Sequence, residues 1–201
     1  MSFDLLPPDA DDARLERIHQ LLVDDPTLVE RVDVRENQWH CSIFDAERWQ
    51  VTQPDGQVGE RDIVLHNGGA GVCAVRDGKM CLVRQYRVAL GRMTLEIPAG
   101  KLDADEDPAI CAARELTEET GLVAERLVPI AISRSAPGFT NEATRIFYAE
   151  GLSQHPASPD SDEFVAVVWV PVEEVVAAVR AGIVQDAKTV IAALFAEGLS
   201  K

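Results

Sequence analysis

Residues 100–122 read G-K-L-D-A-D-E-D-P-A-I-C-A-A-R-E-L-T-E-E-T-G-L, and this stretch decides the fold. Asp107 stands where an N-cap acceptor is wanted, and Pro108 suits the first helical position, where a missing N–H is no loss. Gly121 is a usual helix stop, so the spacing predicts a helix from Pro108 to about Thr120. Residues three and four apart share a helix face, which gathers Glu115, Glu118 and Glu119 within one turn. Anions so placed repel one another and destabilise a bare helix. A hard divalent cation resolves the conflict, since Mg²⁺ prefers oxygen ligands and combines a few carboxylates with phosphate oxygens. Ala109, Ala112, Ala113 and Leu116 are small or apolar and are expected to form the opposite face, seated closely on a sheet. Arg114 can hold one carboxylate by a two-pronged hydrogen bond.

Working upstream, Pro98-Ala99-Gly100 leads into this helix from a loop and short strand over 86–99. Before it, Ala70–Val75 and Met80–Gln85 are apolar runs joined by Asp77-Gly78, a type I′ hairpin signal. Further back, Trp49–Thr52 and Asp62–Leu65 flank a turn at Pro54-Asp55-Gly56, predicting a small antiparallel sheet within 31–66. Residues 1–10 read as a loose leader. Leu15, Ile18 and Leu22 recur at helical spacing and predict a short amphipathic helix from Asp11 to Asp24, packed on the body of the protein or on a second subunit. Downstream, Leu127–Ser133, Ala143–Ala149 and Phe164–Val170 read as strands, and 171–181 and 186–198 as helices. The organisation expected is an N-terminal extension (1–30), an N-terminal β segment (31–66) and one α/β (α+β) domain (67–201) built as a mixed sheet between helices.

The segment resembles the Nudix box, G-x5-E-x7-R-E-U-x-E-E-x-G-U with U apolar. Every specified position matches: Gly100, Glu106, Arg114, Glu115, Leu116, Glu118, Glu119, Gly121 and Leu122. The resemblance covers about residues 60–195 and implies an α/β/α sandwich around a mixed β-sheet. It implies Glu115 and Glu119 as central metal ligands, joined by Glu118 and the carbonyl of Ala99, with Mg²⁺ as cofactor and Mn²⁺ as a substitute. Glu106 is implied to stabilise the loop or reach a metal through water, and Arg114 to orient a carboxylate.

The flanks resemble the ADP-ribose pyrophosphatase branch of that family. Gln85-Tyr86-Arg87 is similar to its Q-[YF]-R element, which implies Arg87 at the substrate phosphates, a role suited to a guanidinium fork. Glu96-Ile97-Pro98-Ala99-Gly100 is similar to the E-x-P-A-G entry, with Glu96 touching substrate or bracing the site. Ser135 to Glu142 carries a proline sixteen residues past Gly121, as ADP-ribose hydrolases do, and implies Pro137, Gly138 and Glu142 as substrate-site residues. The catalytic base is expected from the acidic loop 158–163, with Glu163 first and Asp162 second. The N-terminal sheet resembles the segment through which the branch forms homodimers, and Arg61 is a candidate contact lent to the partner's substrate.

The net charge of −15 repels any partner gripped along many phosphates, which weighs against long nucleic acid as substrate and against RNA decapping. A small nucleoside diphosphate remains compatible, because a divalent cation inverts the local charge of a carboxylate site. Cysteines 41, 73, 81 and 111 form no C-x-x-C pair, and Cys73 and Cys81 read as buried free thiols. There is no apolar run long enough to cross a membrane and no signal peptide at the N-terminus, so a cytoplasmic protein is expected. The expected reaction is hydrolysis of ADP-ribose to AMP and ribose 5-phosphate. The rivals are a GDP-mannose or UDP-glucose type nucleotide-sugar pyrophosphatase, an 8-oxo-nucleoside triphosphatase, and a non-catalytic ADP-ribose sensor.

Overall fold

The computed structural model describes residues 13–156 and 164–199. The acidic loop proposed to hold the base, with Asp162 and Glu163, lies outside the described residues, as does the leader 1–10. The chain divides into two compact units. One is Met1–His66 with Ala136–Asn141, and the other is Asn67–Ser135 with Glu142–Lys201.

The first unit holds helix α1 (Ala13–Leu21) and strands β1 (Arg31–His40), β2 (Asp45–Thr52) and β3 (Val58–Leu65), an antiparallel sheet in sequence order. Of the apolar stripe read in the sequence, Leu15 is half-buried while Ile18 and Leu22 are exposed, so most of it is not covered by the described residues of this chain. The edge strand β1 is exposed along its whole length. Trp39 meets Phe44 edge-on, and the guanidinium of Arg35 stacks on Trp49 4.2 Å from the ring centre. The segment Ala136–Asn141 joins this unit by a bridge from Thr140 to Val64.

The second unit is built on a mixed seven-stranded sheet. Its strands are β4 (Gly69–Arg76), β5 (Lys79–Arg87), β6 (Arg92–Glu96), β7 (Ala99–Lys101), β8 (Leu122–Ser133), β9 (Thr144–Gln154) and β10 (Ala166–Pro171). The path runs β10-β5-β4-β9-β8, with β6 on β5 and β7 on β4. The β4–β5 hairpin turns at Asp77 and Gly78, both with positive φ (52° and 72°), as the type I′ turn requires. Strands β4 and β9 pair in parallel, and the other pairings are antiparallel.

Three helices flank this sheet: α2 (Pro108–Thr120), α3 (Val172–Arg180) and α4 (Ala187–Leu199). Strand residues alternate between faces. Cys73 points at α4, its thiol donating to the carbonyl of Ala192 at 3.6 Å, so Val72 and Ala74 face the other way, toward the layer of α2. On the α3–α4 side Met80, Leu82, Ile97, Ile146, Val175 and Ala193 are buried together. Burial pushes the thiols of Cys73, Cys81 and Cys111 up to about 12, and all four cysteines are free, as read from their spacing.

Candidate active site

Helix α2 begins and ends where its sequence says. The Asp107 side chain accepts from the N–H of Ala109 at 2.8 Å, and Gly121 takes a left-handed φ of 70° while its N–H closes on Thr117. The buried face differs from the expected one. Cys111, Ala112 and Leu116 are buried, but Ala113 is exposed, and Glu115 and Glu119 are buried alongside the apolar residues. Positions 112, 115, 116 and 119 form one i, i+3, i+4, i+7 stripe, and two members of what would be a core stripe are carboxylates. The helix therefore presses its acids onto the sheet.

The place they reach is strand β7. The N–H of Ala99 donates to Glu119 at 2.9 Å. A Cβ on Gly100 would lie 2.0 Å from an oxygen of Glu115, so only glycine admits that carboxylate against the backbone.

Arg114 collects the remaining acids. Its Nε and Nη2 donate to Glu106, each at 3.1 Å, and its Nη1 donates to Glu115 at 2.7 Å and to Glu118 at 3.0 Å. These partners raise the pKa of Arg114, Glu106 foremost, and Arg114 in turn lowers that of Glu106. One positive charge faces three negative ones here, and Glu119 adds a fourth beside Ala99. The surplus of negative charge on hard, part-buried oxygens fits a divalent cation. Among the described residues no three metal-binding side chains converge at ligand spacing, because the guanidinium of Arg114 sits between Glu106, Glu115 and Glu118.

A second cluster stands at the end of the β5–β6 pair. Glu96 is 3% exposed and saturated with donors. Arg87 forks onto it through Nε and Nη2, both at 2.8 Å, Thr94 donates at 2.8 Å and Lys188 at 2.5 Å. Burial opposes the charge of Glu96, yet the hydrogen bond from Arg87 and the charge of Lys188 hold its pKa down at about 2. These groups border a cavity of about 770 Å³, lined by Arg84, Arg87, Arg92 and Lys188 and by apolar residues such as Leu90 and Met93. Cations are thus gathered in a chain whose net charge is −15. Glu96 on the cavity wall lies three residues before Ala99, whose N–H donates to Glu119, so a short stretch of backbone links the cavity to the carboxylates of α2.

The other sequence candidates are dispersed. Arg61, in the first unit, pairs with Glu30. Pro137 and Gly138 form a turn in the same unit, closed by the N–H groups of Phe139 and Thr140 on the carbonyl of Ala136. Glu142 belongs to the second unit and accepts from the hydroxyl of Ser135 at 3.2 Å. Lys188, Thr94 and Asp186 were not among the candidates. Asp186 accepts from the N–H and hydroxyl of Thr189, whose oxygen accepts from the N–H of Ile97 at 2.8 Å. An aspartate three residues before a threonine marks a helix start, but nothing local in the sequence says that this start braces Glu96 and Ile97.

The NUDIX domain family description matches residues 65–194, spanning the sheet, α2 and both clusters. The chain belongs to the Nudix family. It is accordingly a Nudix hydrolase, of a family in general dependent on divalent metal ions. It is 40% identical over 169 residues to an ADP-ribose pyrophosphatase of Bacillus subtilis (strain 168), covering 83% of this chain and 91% of that one. It is 39% identical over 145 residues to a methanol dehydrogenase activator of Bacillus methanolicus, covering 71% and 78%. A GDP-mannose pyrophosphatase of Cronobacter sakazakii is 31% identical over 156 residues, covering 71% and 81%. A solved structure described as an ADP compounds hydrolase superposes with a TM-score of 0.77 at 20% identity, covering 88% of this chain and 96% of that one, which shows the same fold. The α/β/α sandwich implied by the box and the small antiparallel sheet expected within 31–66 are the architecture observed. No helix among the described residues is long and apolar enough to cross a membrane.

Proposed function

We propose that this Nudix hydrolase cleaves the pyrophosphate bond of ADP-ribose to give AMP and ribose 5-phosphate. The observation that carries the reading is a cavity of about 770 Å³ lined by Arg84, Arg87, Arg92 and Lys188, whose wall residue Glu96 lies three residues before Ala99, the hydrogen-bond donor to Glu119. The 40% identity to an ADP-ribose pyrophosphatase supports the same substrate. Glu115, Glu118 and Glu119, with the carbonyl of Ala99, would hold Mg²⁺, with Mn²⁺ as a substitute. When bound, the cation neutralises charge on the phosphoryl oxygens and acidifies a water.

The chain's own groups do the rest. Arg114 restrains the carboxylates that would face the cation, and Glu106 anchors Arg114 from the loop before α2. Arg87 exchanges the fork it makes with Glu96 for a fork on the diphosphate, one pair of anionic oxygens for another. Glu163 accepts the proton as the water oxygen bonds to phosphorus and the bridging P–O bond breaks. Pro137, Gly138 and Glu142 would contact the substrate. Arg61 would do so across a homodimer formed through the N-terminal sheet, in a cytoplasmic enzyme.

A second reading, a nucleotide-sugar pyrophosphatase, is favoured by the 31% identity to a GDP-mannose pyrophosphatase. Rates with ADP-ribose, GDP-mannose, UDP-glucose, NADH and 8-oxo-dGTP, each with Mg²⁺, decide between them. A clear preference for ADP-ribose is expected. Preference for a sugar nucleotide would transfer the reading to the second substrate class, and binding without turnover would overturn both in favour of a sensor.

A further inference from the structure

We infer that Lys188 is a positioning residue: it is the counter-ion that lets Arg87 leave Glu96 and turn to the substrate's diphosphate. The inference rests on the reading of Arg87 as a diphosphate contact.

A buried carboxylate stripped of its partners is costly, so a fork made only between Arg87 and Glu96 would be a lock. Arg87 could then reach phosphate oxygens only by leaving a bare charge in the protein. The structure supplies two other donors. Oxygen Oε1 of Glu96 accepts from Thr94, and Oε2 accepts from Lys188. With Arg87 gone, each oxygen keeps one donor and the carboxylate keeps one positive charge.

Exposure divides the two cations in the same sense. The Lys188 side chain is 15% exposed and tied to Asp186 as well, at 2.8 Å, whereas that of Arg87 is 46% exposed and borders the cavity. Lysine is fixed and inward, and arginine is free to swing outward. Lys188 is itself fixed by the start of α4, where Asp186 caps Thr189 and Thr189 holds the N–H of Ile97. From Ile97 the backbone runs through Pro98, between β6 and β7, to Ala99, whose N–H donates to Glu119. The first turn of α4 therefore sets both the charge on Glu96 and the course of the backbone into the box.

The test uses the full chain with Mg²⁺ and two readouts, ADP-ribose kinetics and calorimetric binding of inorganic pyrophosphate. Lys188→Met is expected to raise KM and weaken pyrophosphate binding roughly tenfold, the scale of one charge-assisted hydrogen bond, with kcat within about threefold of the parent. Lys188→Arg keeps the charge and is expected to recover most of the loss. The double variant Glu96→Gln/Lys188→Met removes the acid that would hold Arg87 and is expected to bind pyrophosphate better than Lys188→Met alone. A packing role for Lys188 predicts that the second substitution adds harm instead. The inference is overturned if Lys188→Met binds pyrophosphate as the parent does, or if the double variant is worse than the single one. Arg87→Gln separates the premises: if it leaves pyrophosphate binding unchanged, the placement of Arg87 at the diphosphate is wrong and Lys188 falls with it. If pyrophosphate binding follows the expected pattern while ADP-ribose is not turned over, the substrate assignment fails and the inference about Lys188 stands.

Discussion

Two ion clusters lie side by side in the second unit, and they are built in opposite ways. Around α2 one arginine serves several carboxylates, so negative charge is left over. Around Glu96 one carboxylate is served by Arg87, Lys188 and Thr94, and with Asp186 the charges balance. The first arrangement leaves room for an added cation. The second gathers its cations on the wall of one cavity. A pyrophosphate bound with a divalent ion would need one of each. The difference teaches that an acidic chain can leave carboxylate charge in surplus in one cluster and concentrate its cations in another, the pattern a metal-bound phosphate would complement.

The comparison breaks first on metal removal. If the surplus charge around α2 exists to hold a divalent cation, EDTA is expected to bring hydrolysis to background and Mg²⁺ to restore it, an effect of at least roughly a thousandfold for a lost electrostatic stabiliser. Full activity in EDTA would put the two clusters on the same footing. Gly100→Ala tests the same cluster sterically, since the new Cβ would lie 2.0 Å from Glu115 and push that carboxylate off the backbone. Displacing a metal-facing ligand is expected to lower kcat/KM roughly 10–100-fold, with far-ultraviolet circular dichroism unchanged.

The balanced cluster is sharpened by pH. Glu96 titrates at about 2 instead of 4.5, so its pairing stabilises the fold fully above the unfolded value. That contribution is lost as pH falls from about 4.5 through about 2, because the unfolded chain takes up the proton first. Urea melts between pH 5 and 3 are expected to show the parent losing stability more steeply than Glu96→Gln. Parallel pH profiles would remove Glu96 from the account of acid lability. The smallest effect belongs to the scaffold common to the α2 side: Asp107→Ala removes the cap on Ala109 and is expected to cost about 1 kcal/mol, read from the urea midpoint.

The two clusters also differ in how far the sequence discloses them. The α2 site is local. Cap, stop, helical period and carboxylate spacing all fall within 23 consecutive residues, so its elements and its family can be read directly. The burial of Glu115 and Glu119 cannot be read this way, since charged residues at stripe positions look like solvent-facing ones until a strand with glycine at Gly100 is laid against them. The second cluster joins Glu96 to Lys188 across 92 positions, and no local rule links a strand end to a helix start at that distance. The amphipathic stripe of α1 was legible as a pattern, but its covering partner is not supplied by the described residues of this chain. The central hairpin of the mixed sheet is legible as two apolar runs joined by a turn signal, whereas the parallel pairing of β4 with β9 is a property of topology and not of either strand alone.

The proposed function requires that the carboxylates of α2 hold the ion on which pyrophosphate cleavage depends. Glu119→Gln tests it most directly, because an amide oxygen can still accept from the N–H of Ala99 while the charge is gone. The measurement is the initial rate of ADP-ribose hydrolysis at saturating Mg²⁺, with folding checked by circular dichroism. The account predicts a folded protein with turnover reduced to near background. A folded Glu119→Gln variant with a near-normal rate would contradict it.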